Sequence, residues 1–394
     1  MADVTATKHK APLPPGFWTI WTTVALDLVG FGIVAPILGR YAERFGASGL
    51  EVGLLFASFS LAQFVFAPIL GRVSDRVGRK PVIIVSLVGT AVGSFITGAA
   101  GALWVLFLGR IIDGASGASV AVAQSAITDI APPDQRTKLL GMLGAAFGIG
   151  FVLGPAVGGL AALGGPHVPF YVAGTVAAVN AVVALVRLPE TKSVVSIPVR
   201  NSRRVRAVSP ELLRYAVIGF IATAGFAGFE ATFSLFGERR FDLTEGSAAA
   251  VFLFVGVLLV IVQGLLVGQL ATRVKPFVLL RAGLVVVALG LFTLSSATTW
   301  PVLFVSLAVL AIGQGVATPS LTSLVAEAAP EERRGEALGY QQSAGALARI
   351  VGPVAAGAIF DGIGVGAPYI LGGALVLLAV ILVTRGSRVA TSVA

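Results

Sequence analysis

The chain of 394 residues has no cysteine, which excludes disulfides, thiolate metal sites and cysteine nucleophiles together. Histidine is nearly as scarce. His9 lies in the N-terminal tail and His167 in a short link between apolar runs, so neither an intramembrane metal cluster nor a Ser/His pair is expected. Charge is sparse as well, with 12% charged against 56% hydrophobic residues, a balance far from that of an average soluble domain. The formal net charge of +9 would suit nucleic acid only if it clustered on a folded polar domain, and no stretch is polar enough to form one. Glycine is abundant, yet no glycine-rich segment ends in the Gly-Lys-Ser/Thr of a phosphate loop, so ATP drive is not expected. Residues 1–15 are polar and lack an apolar core followed by a small-residue cleavage site, so no cleaved signal peptide is expected.

Long apolar runs dominate what is present. Taking about twenty apolar residues as the length that crosses a bilayer, the runs fall at 17–39, 51–70, 81–100, 103–128, 138–163, 168–188, 214–236, 247–271, 276–297, 300–326, 336–360 and 366–384. The expected fold is therefore all-α integral membrane, with twelve transmembrane helices. Residues 1–16 form a tail, 17–188 a first bundle of six helices, 189–213 a connector with Arg200, Arg203, Arg204 and Arg206, 214–384 a second bundle of six, and 385–394 a second tail. With both termini cytoplasmic, all Lys and Arg lie on that side except Arg40, Arg44, Arg239 and Arg240 outside and Arg110 and Arg349 within spans. That asymmetry is the positive-inside rule and sets the expected orientation.

The two halves repeat each other. At an offset of 198 residues, Asp129 and Pro132 fall on Glu327 and Pro330, Arg136 on Arg334, Gly154 and Pro155 on Gly352 and Pro353, and Gly30 and Phe31 on Gly228 and Phe229. Duplicated six-helix halves are a transporter architecture, with the substrate site between them near mid-membrane. Residues 71–80, reading GRVSDRVGRK, form a basic, glycine-bounded link of the kind expected between two spans on the cytoplasmic side. Residues 268–276 are its shortened counterpart, keeping Gly268, Arg273, Lys275 and Pro276 but no acid.

Four segments carry a family resemblance. The 71–80 link resembles the signature of the major facilitator superfamily between its second and third helices. Residues 26–32, LDLVGFG, followed by Pro36, resemble the first helix of its twelve-helix drug/proton antiporter branch. Leu108, Gly109 and Arg110 with Gly114 and Gly117 resemble that branch's fourth-helix motif, and residues 150–155, GFVLGP, with Gly158 and Gly159, its fifth-helix motif. Within the branch the chain is similar to tetracycline efflux pumps. It departs from them in having no acid in the third span and none in the ninth, which has only Arg281 at its cytoplasmic start, whereas Asp113 occupies a position that is typically small and polar in those pumps. The resemblance implies the major facilitator fold, with two pseudo-symmetric six-helix bundles. It also implies a latch, in which the loop acid Asp75 contacts the cytoplasmic start of helix eleven and Arg79 pairs with Asp129, with Gly71, Arg76 and Gly78 shaping the loop.

Ionisable residues inside the spans are the sharpest candidates, because each costs at least about 2.5 kcal/mol in hydrocarbon and needs a purpose. At about 1.5 Å per residue, Asp27 and Asp113 both lie some 15 Å deep, near the midplane. Asp27 has no partner nearby in sequence and is expected to carry the coupled proton or meet a substrate cation, the alternative being a role hydrogen-bonding a neighbouring helix. Arg110 and Asp113, three residues apart, can pair, either as a self-neutralising structural pair or as a proton site tuned by the arginine. Arg110, Asp113, Gly117, Ala121 and Gln124 share one stripe at helical spacing. In the second half, Glu230 with Phe226 and Phe233 suits a lipophilic cation, although Glu230 also suits a solvated position near the mouth. Arg349, sharing a face with Gln342 and Gly345, is a counter-charge for Glu230 or for an anionic group, and Phe31 joins the face of Asp27. Gln63, Asn180, Gln263 and Gln314 line a cavity or join helices. Gly150, Gly154 and Gly158 form a ridge at every fourth residue, repeated by Ala348, Gly352 and Ala356, for close packing or sliding between halves, and Pro155 and Pro353 let those helices bend.

These features together lead to an expected function: proton-coupled efflux of small lipophilic, cationic, drug-like compounds by a monomer in the cytoplasmic membrane. The proton gradient is the expected drive, with no cofactor, metal or nucleic acid. A proton-driven importer of a metabolite is the alternative within transport, and a membrane enzyme or non-transporting receptor the alternative outside it. A membrane enzyme needs a convergent nucleophile and base or a metal, and none is evident.

Overall fold

Helix boundaries follow local chemistry. Ser48 caps the second helix by accepting from the Glu51 backbone N–H, while Glu51 reaches back to the Ser48 backbone. Ser209 caps the seventh spanning helix ahead of Pro210, whose missing N–H is harmless in the first turn. The computed structural model describes residues 13–132, 135–191, 209–262, 266, 268–271, 273–329 and 334–391. Among these the secondary structure is helical: α1 Phe17–Glu43, α2 Gly49–Val77, α3 Arg79–Gly98, α4 Leu103–Ser116, α5 Ser119–Ile130, α6 Arg136–Ala162, α7 Val168–Arg187, α8 Pro210–Phe241, α9 Glu245–Ile261, α10 Gly268–Ala271, α11 Pro276–Ser295, α12 Trp300–Glu327, α13 Arg334–Gly362 and α14 Ala367–Thr391.

Twelve crossings result, with α4 and α5 together making the fourth. Ten are long and apolar enough to cross a bilayer, and apolar helices at Gly148–Ala162 and Ala250–Ile261 occupy the other two positions. Large apolar side chains such as Trp104, Leu160, Leu163 and Val186 stand exposed on the outer surface, which suits lipid and not water. Arg200, Arg203, Arg204 and Arg206 of the connector, residues 1–12 and 392–394 of the tails, Gln263, and residues 330–333 before α13 lie outside the described residues, while α14 continues through most of the expected second tail to Thr391.

Two differences from the sequence reading matter for the site. The 71–80 link is mostly helix, since α2 runs to Val77 and the chain reverses on Gly78 alone. The fourth crossing is broken at Gly117 and Ala118, so Gln124 does not continue one unbroken helical stripe from Arg110.

Within the first half α1 packs on α6 and α7, and α3 on α4 and α7; within the second, α8 packs on α13 and α14, and α11 on α12 and α14. The halves meet through α2 with α13, α6 with α9, and α1 with α8. The chain begins and ends at one end of this bundle, the terminal end. At the opposite, far end one apolar core crosses between the halves, joining Ile37, Leu38 and Leu55 to Phe229, Phe236 and Phe360. The second core cluster, built around Phe17, Ile20, Ile83, Ile127 and Leu188 towards the terminal end, contains first-half residues only. The halves are thus sealed by apolar packing at the far end.

Candidate functional site

In the first half, the helix break builds the polar centre. Ser119, the first residue of α5, donates its hydroxyl to Asp27 Oδ2 on α1. The break also leaves the Gly117 carbonyl free to accept from Gln63 Nε2 at 2.8 Å. Asp27 therefore has a partner that lies 92 residues away in sequence. Beside it Arg110 Nη1 donates to Asp113 Oδ2 at 2.8 Å, and both residues are buried. The guanidinium lies 4.2 Å from the Phe59 ring centroid, and Phe59 packs on Phe31, centroids 5.8 Å apart. Arg110, Phe59 and Phe31 thus form one column, in which the aromatic face stabilises a desolvated cation. Asn180 donates to the Thr23 carbonyl at 2.8 Å and acts as a tie between α7 and α1. Gln124 is half-buried on α5.

The second half carries a cavity of about 290 Å³ between α8, α11, α12 and α13. Its polar wall comprises Thr223, Gln314, Thr318, Thr322, Gln341, Gln342 and Arg349. Every one of these lies in the terminal-end half or middle of its helix, so the cavity sits away from the far-end seal. Gln314 and Gln342 were anticipated as polar lining, whereas Gln341, which donates to Thr322 Oγ1 at 3.2 Å, carried no sequence signal beyond its neighbour. Glu230 stands deeper, with Oε1 buried and unpartnered, and feels Arg349 of its own half and Arg110 of the other.

The aromatic part of the expected cation site is corrected. Phe233 is fully buried, its ring packed on Phe229 at 5.2 Å and Phe252 at 5.4 Å, so it serves the far-end core and is not among the residues that line the second-half cavity. Phe226 is half-buried against Phe229 at 5.7 Å. Helical spacing put residues 226, 230 and 233 on one face, but the depth at which that face turns from cavity to core is set by α9 and α14 packing over it.

At the terminal end, Arg79 organises the tight turn. Its Nε donates to Asp129 Oδ2 at 2.9 Å and its Nη1 to Asp75 Oδ1 at 2.6 Å and Ser74 Oγ at 2.7 Å. Arg76 occupies the last turn of α2, and a Cβ added at Gly71 would meet nothing within 4 Å. The acid expected to reach the start of helix eleven is here held by Arg79, and the side chains of residues 334–336 at that start lie outside the described residues. A further carboxylate was not foreseen. Glu190, just past α7, accepts from the backbone N–H groups of Arg79 at 2.8 Å and Lys80 at 3.2 Å, capping the start of α3 where a helix favours negative charge. Gly78 makes this possible twice over, with φ of 108° and a Cβ position only 2.3 Å from Glu190 Oε2.

The glycine ridge packs within its own half. A Cβ on Gly32 of α1 would lie 2.3 Å from the Gly150 carbonyl oxygen, and one on Gly154 would lie 2.5 Å from Gly32 Cα; Gly158 meets Ile33. Gly352 likewise meets Ala224 of α8. Sliding of this ridge between halves is therefore not what the geometry provides, because α1, and not the opposite bundle, lies against it. Pro155 and Pro353 do sit inside α6 and α13. The close approach between halves belongs to other residues: Gly53 against the Pro353 carbonyl, and Gly49 against that of Gly357. Beside them Asp361 accepts from the backbone N–H of Gly49 at 3.0 Å and of Leu50 at 2.8 Å. Arg40 pairs with Glu238 at 3.2 Å and Arg239 with Glu43 at 3.7 Å. These polar contacts clasp the halves at the far end.

An all-helical bundle of two similar halves, sealed at one end, with buried charge at its centre is the geometry of a solute carrier. Comparison with known proteins agrees. The family model of the Major Facilitator Superfamily matches residues 20–300 and 277–392. The chain is 32% identical over 350 residues to the class E tetracycline resistance protein of Escherichia coli, covering 84% of each chain. It is 25% identical over 372 residues to multidrug resistance protein 2 of Bacillus subtilis (strain 168), covering 92% of each. Among solved structures, a bacterial homologue of the human lysosomal transporter Spinster superposes with a TM-score of 0.76 at 15% identity, covering 94% of this chain and 96% of that one. The human organic anion transporter MFSD10 does so with a TM-score of 0.71 at 23% identity, covering 94% and 100%. With its family pattern matched along nearly its whole length and its fold shared with these transporters, this multi-pass membrane chain belongs to the major facilitator superfamily.

Proposed function

We propose that this transporter exports small lipophilic drug-like compounds in exchange for protons by alternating access. The observation that carries the reading is the extended similarity to proteins named for tetracycline and multidrug resistance, over more than four-fifths of each chain. Asp27 supports the proton half of the exchange. It is an acid within a spanning helix, held by one hydroxyl at a helix break, and such residues mark ion pathways by default. The unpartnered oxygen of Glu230 supports recognition of a cationic or hydrogen-bond-donating nitrogen on the substrate. In this reading the protein works as a monomer in the cytoplasmic membrane with both termini in the cytoplasm, the proton gradient is the drive, and no cofactor takes part. Protonation of Asp27 and substrate binding must favour different states of the two halves, since only a difference in affinity between states moves the equilibrium.

The test is uptake into everted membrane vesicles with an imposed pH gradient, using a panel of compounds first chosen by drug susceptibility in a pump-deficient host. Substrate accumulation coupled to proton release is expected. Asp27→Asn is expected to abolish coupled accumulation at unchanged protein level. Full activity in that variant, or accumulation indifferent to the gradient, would overturn the proton assignment.

A further inference from the structure

Arg349 is the one charged residue of the second-half cavity wall. It stands mid-way along a spanning helix, about 22 Å from the start of α13 at 1.5 Å per residue, where a charge needs a partner or a task. Its side chain is exposed, and among the described residues it makes no hydrogen bond and no ion pair within 4.0 Å. Glu230 is the acid that influences it, but that carboxylate acts on Arg110 as well and is no closer than the ion-pair limit. The rest of the polar wall is neutral amide and hydroxyl: Thr223, Gln314, Thr318, Thr322, Gln341 and Gln342. Gln314 adds an independent observation, because its Oε1 is buried with no donor, and such an acceptor is costly to leave unmet.

We propose that this cavity is a subsite for an acidic oxygen group of the transported compound, with the anion on the Arg349 guanidinium and an adjoining O–H or N–H donated to Gln314. The guanidinium fork matches two anionic oxygens bidentately. The two needs of the wall, an anion for the arginine and a donor for the glutamine, are met together by a carboxylate, sulfonate or enolate beside a hydroxyl or amide. Leu280, Leu284 and Leu321 supply the apolar remainder of the wall, and the volume suits a single ring or a fragment of a larger drug. Together with the unpartnered oxygen of Glu230 the site then favours amphoteric compounds over simple cations. The inference rests on the efflux reading for the word transported, but the binding site stands on geometry.

The experiment is equilibrium binding of radiolabelled salicylate to the purified full-length protein in nanodiscs, with salicylamide as the neutral match in shape. The wild-type chain is expected to bind salicylate at least about tenfold more tightly than salicylamide, the scale of a charge-assisted bidentate contact. Arg349→Gln should bring that ratio near one, Arg349→Lys should keep part of it, and Gln314→Leu should weaken both ligands alike through the hydroxyl they share. Equal binding of the two ligands by the wild type overturns the proposal, and needs no variant to fold. So does a ratio unchanged in Arg349→Gln. Gradient-driven vesicle uptake of ethidium without a salicylate preference would defeat the subsite and leave efflux standing; a preference without uptake of any compound would defeat efflux and leave the subsite.

Discussion

Asp361→Asn should loosen the far-end clasp by a calculable amount. In the structure both Asp361 oxygens accept from α2, at 3.0 Å from Gly49 N and 2.8 Å from Leu50 N, across the boundary between halves. The amide keeps one acceptor, loses the other, and removes a negative charge from a helix N-terminus. A charge so placed contributes about 0.3–1 kcal/mol, and a hydrogen bond to a charged group about 1.5–3 kcal/mol in full burial. Asp361 is exposed, so the sum is discounted to about 1–2 kcal/mol, a factor of about 5–30 in an equilibrium. Because the bonds exist only while α13 covers the start of α2, the loss falls on the far-end-closed state alone. The absence of cysteine makes the readout direct. Ser234 is buried on α8, 2.6 Å from where a Cβ on Gly39 of α1 would stand, and becomes accessible only when the halves part. In a Ser234→Cys background in nanodiscs, Asp361→Asn should raise the rate of labelling by a bulky maleimide about 5- to 30-fold, while Glu327→Gln, at the terminal end, leaves it unchanged. An unchanged or slower rate in Asp361→Asn would refute the clasp.

Three further outcomes are expected. Asp75→Asn, which removes an acid held at 2.6 Å by Arg79, should cripple vesicle transport with normal folding by size-exclusion profile; a normal transport cycle would reduce the turn to a topological anchor. Asp113→Ala leaves the buried Arg110 unpaired and should destabilise by about 3–5 kcal/mol, read as a lower melting midpoint in detergent. The double change Arg110→Met with Asp113→Leu should recover most of that midpoint, and a double variant that still pumps would make the pair purely structural. Gly154→Val forces side-chain atoms into the Gly32 backbone, whose Cα is 2.5 Å from the added Cβ, and should cost at least about 1–3 kcal/mol; an unchanged melting midpoint would disprove the tight α1–α6 approach.

The expected carboxylate and guanidinium pairs were legible where the chemistry is local or repeated. Arg110 with Asp113 is one turn of helix, and Arg79 with Asp129 was implied by the resemblance and appears at 2.9 Å. Phe233 was misassigned because helical spacing reports a face but not how deep along the helix that face meets other packing. The glycine ridge was correctly seen as a surface for close approach, yet its partner was α1 of the same half, since small residues specify contact distance and carry no address. Glu190 and Asp361 look in sequence like ordinary helix-end acids, and nothing local distinguishes a solvated carboxylate from one that caps a helix elsewhere in the fold.

What the sequence by itself determined is the class and plan of the molecule: twelve apolar runs, two repeated halves, and the few ionisable residues that hydrocarbon tolerates only for a reason. These follow from transfer of single residues between water and lipid, which depends on composition along a short stretch. What only the tertiary structure decided is who meets whom. Ser119 reaches Asp27 through a helix break, Glu190 caps α3 from 110 and 111 residues away, and Asp361 caps α2 from 311 and 312 residues away. Such pairings arise because buried backbone and carboxylate groups must find partners wherever packing brings them, and that placement is a property of the assembled bundle.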